Sequence, residues 1–311
     1  MKFVLYWSHG KARPGVIVDG MVIDISRVVD HGQTAQQTME NIINSYDTIK
    51  SKIEALSDSA PKQPLSCVHL LPPLPRPGKI LSCIANYREN NEHRDPRPLN
   101  MFMKNPEAVI GPGDTIQLPN FEEPSSFMHE AELALVIKGP VKHVTEENWR
   151  SAIFGYTGLI DVTARGEGRS TWKKNSWMGK SFDTFAPIGP CIVTADEIDD
   201  PNDIDIKFWN NGELRHDFNT SDMEHKVPEV VSFASQMMTL NSGDLIATGT
   251  NHEGLGYLQH NEEIEISLAG IGTMKLNVFD PLNRSWERGV YLGADSTNHA
   301  VALKDGKVVN R

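Results

Sequence analysis

The chain has 311 residues, of which 39% are hydrophobic and 23% charged, and its formal net charge is -11. That length suffices for one large domain plus a small one, with a substantial buried core. The acidic balance argues against a nucleic-acid surface, which needs clustered Lys and Arg, but it leaves room for a small anionic substrate because local charge can oppose the global sign.

The first segment, Met1-Lys2-Phe3-Val4-Leu5-Tyr6-Trp7-Ser8-His9, reads as a strand and turns polar too early for a signal peptide's apolar region. Val16-Ile17-Val18, Asp19-Gly20 and Met21-Val22-Ile23-Asp24-Ile25 form a hairpin signature, with Asp-Gly supplying the positive φ of a tight turn. Met39, Ile42, Ile43, Tyr46, Ile49, Ile53 and Leu56 keep a three-to-four spacing, which predicts a helix with one apolar stripe. Pro61, Pro64, Pro72, Pro73, Pro75 and Pro77 cannot continue a helix or pair within a central strand. They read as a stiff linker that closes a small amino-terminal domain over residues 1–72.

A larger domain spans residues 78–281. Lys79-Ile80-Leu81-Ser82-Cys83-Ile84-Ala85 is a short buried strand leading into a polar loop, and Thr145 caps a short helix through Glu146, Glu147 and Trp149. A second helix is expected over about 224–238, with Val227, Val230, Val231, Ala234, Met237 and Met238 as its stripe and Pro228 tolerated in the first turn. Strands follow over 244–247, 263–267 and 275–278. Because strands and helices do not alternate regularly, the pattern argues for an α+β, β-rich fold over a doubly wound sheet. Residues 282–311 are a carboxy-terminal extension whose one pattern is a hairpin signature around Lys304-Asp305-Gly306-Lys307. Cys67, Cys83 and Cys191 are odd in number and far apart, so they make neither a disulfide framework nor a Cys-x-x-Cys metal site; a reducing, cytoplasmic setting fits best. No apolar run approaches the length of a membrane span.

The chemistry concentrates in Met128-His129-Glu130-Ala131-Glu132-Leu133-Ala134-Leu135-Val136-Ile137. Read as a strand, it points Glu130 and Glu132 to one face with Ala134 and Val136, and puts Ala131, Leu133, Leu135 and Ile137 on the other. Two convergent acids at the mouth of a buried strand repel unless something positive sits between them, and a divalent cation is the usual answer. Taken alone, the pair also reads as solvated glutamates on an edge strand. Three further segments change the odds. Asp161 ends the strand-like run Gly155-Tyr156-Thr157-Gly158-Leu159-Ile160, and Lys180 precedes an apolar, proline-bounded loop reaching Pro190. Thr248-Gly249-Thr250-Asn251-His252-Glu253-Gly254-Leu255-Gly256 is a glycine-rich turn suited to holding a carboxylate, and it lacks the lysine and spacing of a phosphate loop. Singly, each also reads as a capping Asp, a surface Lys or a plain turn.

Together these segments resemble the fumarylacetoacetate hydrolase family over roughly residues 78–281. Glu130, Glu132 and Leu133 match its Glu-x-Glu-Leu strand; Asp161, Thr163 and Arg165 match its Asp-x-Thr-x-Arg segment. Its Gly-Lys-Ser-x-Asp-x-Phe-x-Pro-x-Gly-Pro loop is matched from Gly179 to Pro190, and its Thr-Gly-Thr run by the end of the segment from Thr239 to Thr250. The resemblance implies a fumarylacetoacetate-hydrolase-like roll of mixed β-sheets with a small amino-terminal α/β accessory domain, assembled as a homodimer. It also implies Glu130, Glu132 and Asp161 as ligands of Mg²⁺ or Mn²⁺, with Ca²⁺ as a substitute. A site of three carboxylates and no sulfur suits such hard ions better than Zn²⁺. By the same resemblance Lys180 stabilises a developing enolate, Thr250 bonds the substrate carboxylate, and Arg165 braces the metal shell. Tyr87 and Lys104 fall on the substrate side, with an ordinary surface lysine as the alternative for Lys104.

Hydrolytic members usually carry a His and a Glu three residues apart after an Asn-Tyr pair, as the base for an attacking water. Here Asn86-Tyr87 are followed by Asn90 and His93 at those positions, with Glu92 beside His93. Glu92 and His93 are therefore the candidate catalytic base, with a solvated loop histidine as the alternative for His93. Other departures, Gly166, Gly168 and Asn251, fall on the pocket wall. The expected activity is that of a divalent-metal-dependent hydrolase cleaving a carbon–carbon bond in a 2,4-diketo acid of the acylpyruvate type, giving pyruvate and a carboxylic acid in a catabolic setting. The alternatives are a 2-keto acid decarboxylase, tautomerase or hydro-lyase on the same fold, or a silent keto-acid-binding protein. The expected partner is a small 2-keto or 2,4-diketo acid, with no nucleic acid and no membrane.

Overall fold

The computed structural model describes residues 1–89, 95–121, 125–166 and 177–286, and the short strands 302–304 and 307–309. The chain opens with the meander β1 (Lys2–Ser8), β2 (Lys11–Val18) and β3 (Met21–Asp24). The turn between β2 and β3 holds Asp19 at φ 50° and Gly20 at φ 72°, the left-handed pair that a two-residue hairpin needs. α1 (Ala35–Ser59) follows; Thr34 caps it by accepting the Gln37 N–H, and Met39, Ile42, Ile43 and Ile53 of its stripe are fully buried.

The proline-rich stretch is more than a linker. β4 (Lys62–Pro64) pairs with β3, and β5 (His69–Leu71) pairs with β1. β4 lies at the end of its sheet, where a proline's missing N–H costs no ladder bond.

β6 (Ile80–Cys83) and β7 (Met101–Lys104) flank the segment carrying Tyr87, and β8 (Val109–Ile110) and β9 (Thr115–Gln117) are short. β10 (Ser125–Met128), β11 (Ala131–Ile137), β12 (Ile153–Ile160) and β13 (Thr163–Gly166) come next, with a 3₁₀ helix, Glu146–Ala152, where a short helix was expected after Thr145. The stretch after Lys180, expected as a loop, becomes β14 (Ala186–Thr194), buried along its whole length. Pro190 falls where the β12 register shifts between Tyr156 and Gly158, while Pro187 lies opposite Ile110 of β8. β15 (Asp205–Asn210), β16 (Glu213–Asn219), α2 (Val227–Met237), β17 (Leu245–Ala247), β18 (Glu263–Leu268) and β19 (Gly272–Phe279) complete the body of the chain. β20 (Ala302–Lys304) and β21 (Lys307–Val309) pair with each other, as the hairpin signature predicts.

α2 starts later than expected because Glu224 and His225 are taken up in a turn. The Asn86 side chain bonds the His225 N–H and C=O, and Arg97 bonds the Glu224 carboxylate through its backbone N–H and its guanidinium.

The main sheet runs β4-β3-β2-β1-β14-β12-β11-β17-β6-β7, with β5 added on β1 and β8 on β14; a second sheet runs β16-β15-β18-β19-β9. Most pairs are antiparallel, while β17 with β6, β14 with β8 and β19 with β9 are parallel, so the sheets are mixed. β11 sits between β12 and β17 and is buried on both faces. Ala131, Leu133, Leu135 and Ile137 join one core cluster, and Ala134 and Val136 join another with the stripe of α1. A strand covered on both sides positions its head more rigidly than an edge strand could.

Leu135→Ala should cost about 2–5 kcal/mol, because its site is enclosed on all sides. Urea unfolding of the two proteins checks this: the midpoint should fall with little change in slope, whereas Met237→Ala, at a 47% exposed position, should move it by less than about 0.5 kcal/mol.

Candidate active site

Glu130 immediately precedes β11 and Glu132 is its second residue. In the antiparallel pairing of β11 with β12, Ala131 faces Ile160 and Glu132 faces Leu159. The Asp161 N–H donates to the Glu130 carbonyl at 2.8 Å, which draws the end of β12 against the head of β11. One ligand atom from each of Glu130, Glu132 and Asp161 lies within 4.8 Å of the others, and all three residues are buried.

Cations surround this cage. Lys180 Nζ donates to Glu130 Oε2 at 2.7 Å, to Asp161 Oδ2 at 2.6 Å and to Thr163 Oγ1 at 2.7 Å. Lys104 Nζ donates to Asp161 Oδ1 at 2.6 Å, to the Val162 carbonyl at 3.3 Å and to the Lys180 carbonyl. Lys104 is a fully enclosed side chain, which sets aside the surface-lysine reading. Arg165 Nη2 donates to Glu130 Oε1 at 3.0 Å, so it grips a cage carboxylate.

The three acids are answered unequally. Burial opposes ionisation of Glu130, but the Lys180 and Arg165 charges overcome it and hold the carboxyl well below the usual range. Glu132 has no ion pair among the described residues; its Oε2 accepts the Gly249 N–H at 2.8 Å. Burial first, then the Asp161 and Glu130 charges, push its carboxyl well above the usual range. Burial also lowers Lys104, helped by the Lys180 charge, whereas the Asp161 and Glu130 charges raise Lys180 against the cost of its burial. A buried acid that lacks a cation among the described residues, beside two others that share the Lys180 ammonium, fits a divalent metal ion. Oxygen-only donors of this kind suit Mg²⁺ or Mn²⁺.

The Thr248–Thr250 turn closes the cage from β17's end. The Thr248 N–H and Oγ1 both donate to the Leu133 carbonyl, and Gly249, at φ 88°, turns its N–H to Glu132. Thr250 is buried beside it. Tyr87 is fully buried, rests edge-on against Phe218 and pairs across to Met223. Burial pushes its hydroxyl up, with the Glu132 charge adding to the effect, so it stays protonated. Glu92, His93, Asn90 and Gly168 lie outside the described residues.

Two pairs have no counterpart in the expectations. His129 Nδ1 and His216 Nε2 lie 3.0 Å apart, both fully buried, with His129 stacked on Phe208. Burial lowers both imidazoles, so both are neutral packing groups beside Glu130. Glu89, with its side chain 2% exposed, bonds His252 Nδ1 through Oε1. A sequence separation of 163 between the partners leaves no local pattern to read.

The family described as fumarylacetoacetate (FAA) hydrolase, C-terminal, matches residues 79–279. The chain is 34% identical over 268 residues to a mitochondrial oxaloacetate tautomerase of Xenopus laevis, covering 80% of this chain and 79% of that protein. It is 30% identical over 284 residues to a maleylpyruvate hydrolase of Aquipseudomonas alcaligenes, covering 86% and 96%. The crystal structure of maleylpyruvate hydrolase from Sphingobium sp. SYK-6 in complex with manganese(II) and pyruvate superposes with a TM-score of 0.80 at 32% identity, covering 90% of this chain and 99% of that one. With sequence motifs, fold and relatives in agreement, this chain belongs to the fumarylacetoacetate hydrolase family.

Proposed function

We propose that this protein is a divalent-metal-dependent enzyme of 2-keto acids, and that it hydrolyses a carbon–carbon bond in a 2,4-diketo acid of the acylpyruvate type. The products would be pyruvate and a carboxylic acid. The observation that carries this reading is the buried cage of Glu130, Glu132 and Asp161 with Lys180 at its wall. A bound Mg²⁺ or Mn²⁺ would be held by these three carboxylates and would supply Lewis acidity to the 2-keto acid end of the substrate.

The chain's own groups supply the rest. Lys180 Nζ is fixed by three oxygen acceptors, so its charge is already aimed at the place where an enolate oxygen develops and needs no reorganisation. Lys104 holds Asp161 and the Lys180 carbonyl, which keeps both in register. Arg165 holds the outer oxygen of Glu130. The Thr250 hydroxyl would bond the substrate carboxylate, and Glu92 and His93 are the proposed base for the attacking water.

A second reading keeps the cage and drops the water: keto–enol tautomerisation of a 2-keto dicarboxylic acid. Asn90 cannot take a proton where hydrolytic members carry histidine, and the relatives include a tautomerase of oxaloacetate. Both readings pass through the enolate of a 2-keto acid.

The deciding experiment supplies Mg²⁺ or Mn²⁺ and follows two readouts: pyruvate release from a panel of acylpyruvates, and decay of enol absorbance from oxaloacetate. Hydrolysis predicts the first, tautomerisation only the second. Either activity should vanish with EDTA and in Glu132→Ala, and Lys180→Met should lower kcat by about 10²–10³-fold. Activity that survives both EDTA and Glu132→Ala contradicts the proposal.

Metal uptake has its own readout. At 100 times the dissociation constant, Mn²⁺ should stabilise the wild-type chain by about 2.7 kcal/mol, seen as a higher melting temperature. Glu132→Ala should melt at the same temperature with and without Mn²⁺.

A further inference from the structure

We propose that Glu89 and His252 form a proton-transfer dyad beside the carboxylate cage, in which His252 Nε2 carries the proton to and from the carbon next to the substrate's keto group. Glu89 is the positioning residue of the pair. The inference rests on the 2-keto acid reading of the cage but holds for hydrolysis and tautomerisation alike, since both need a proton moved at that carbon.

The geometry is built rather than incidental. Glu89 Oε1 accepts from His252 Nδ1, which sets the tautomer and leaves Nε2 as the working nitrogen. Among the described residues Nε2 has no hydrogen-bond partner, and the imidazole is 19% exposed while the Glu89 side chain is 2% exposed. One oxygen, Asp222 Oδ2, links the Glu89 backbone to the side chain next to His252: it accepts the Glu89 N–H at 3.0 Å and Asn251 Nδ2 at 3.0 Å. Glu89 is held at φ 57°, a left-handed conformation that a non-glycine residue keeps only when its surroundings impose it. His252 lies three residues beyond Gly249, whose N–H is bonded to Glu132, so it belongs to the turn that borders the cage. Burial alone would raise Glu89, yet the His252 hydrogen bond and charge hold it below the usual carboxylate range. An imidazole backed by a carboxylate is the arrangement a proton carrier needs, because the charge it gains on taking up a proton is stabilised at once.

The step balances without a co-reactant. The C3–H bond breaks as Nε2 takes the proton; its electron pair becomes the C2=C3 bond, and the carbonyl pair moves onto O2. In the opposite direction Nε2–H returns a proton to C3, which converts a pyruvate enolate into pyruvate.

The test uses the full chain with Mg²⁺ and pyruvate in D₂O, following loss of the methyl proton signal by NMR. Mg²⁺-dependent oxalate binding serves as the fold and site control, since oxalate has no carbon acid. Wild type should exchange. His252→Gln should slow exchange by about 10²–10⁴-fold, and Glu89→Gln by about 10–100-fold, each with oxalate affinity within about threefold of wild type. The downfield Nδ1–H resonance of wild type should be lost in Glu89→Gln, a signature that a packing role would leave in place.

Exchange in His252→Gln within about threefold of wild type, with oxalate binding intact, overturns the dyad. If His252→Gln loses oxalate binding, the isosteric Glu89→Gln decides by the same criterion. A wild type that cleaves acylpyruvates yet exchanges nothing overturns the dyad and leaves the hydrolase reading standing. Exchange that depends on His252, with neither acylpyruvate cleavage nor enol conversion, upholds the dyad and removes the proposed function.

Discussion

Three carboxylates brought together out of water repel one another, and the architecture around them is organised by the need to answer that repulsion. Lys180 and Arg165 neutralise Glu130, Lys104 and Lys180 neutralise Asp161, and among the described residues Glu132 is left with a single peptide N–H. The cost of this imbalance is borne by a strand packed on both faces and held between two neighbours, which cannot relax to let the acids separate. Burial strengthens every Coulombic term inside, so an ion arriving at Glu132 meets a deficit rather than a satisfied network. The same dryness strengthens the hold of the Lys180 ammonium on Glu130 and Asp161.

The elements legible in the sequence are those set by neighbours a few residues apart. The Asp19-Gly20 turn, the α1 stripe and the strand carrying Glu130 and Glu132 all follow from local period and turn chemistry. Misreadings arose where tertiary pairing overrides local preference. The prolines of 61–77 were read as a linker, yet β4 and β5 lie within that stretch, and the prolines after Lys180 lie on a buried strand. Pro64 is allowed because β4 lies at the edge of its sheet, and Pro190 because it falls where the β12 register shifts. The match of Phe3 with Ile192 joins the first strand to one nearly 190 residues later, and no spacing rule anticipates it.

The site divides the same way. The carboxylates announce themselves because two of them sit two residues apart on a strand. Lys104 carries no local mark of burial; only the folded chain sets its ammonium against Asp161. Glu89 and His252 are drawn together by Asp222 from a third part of the chain, so their partnership exists only in three dimensions. Asn90 and Asn251 mark in the sequence that the usual groups were replaced, without indicating what replaced them.

The cluster that gathers Met39, Ile42 and Ile43 of α1 also contains Ala134 and Val136, which by strand alternation share the face of β11 that bears Glu132. The amino-terminal helix therefore roofs the lower storey of the wall whose upper storey bears the acids. Loosening that roof would let the strand rock beneath its acids, so drift far out on α1 should surface as altered metal selectivity before it surfaces as unfolding.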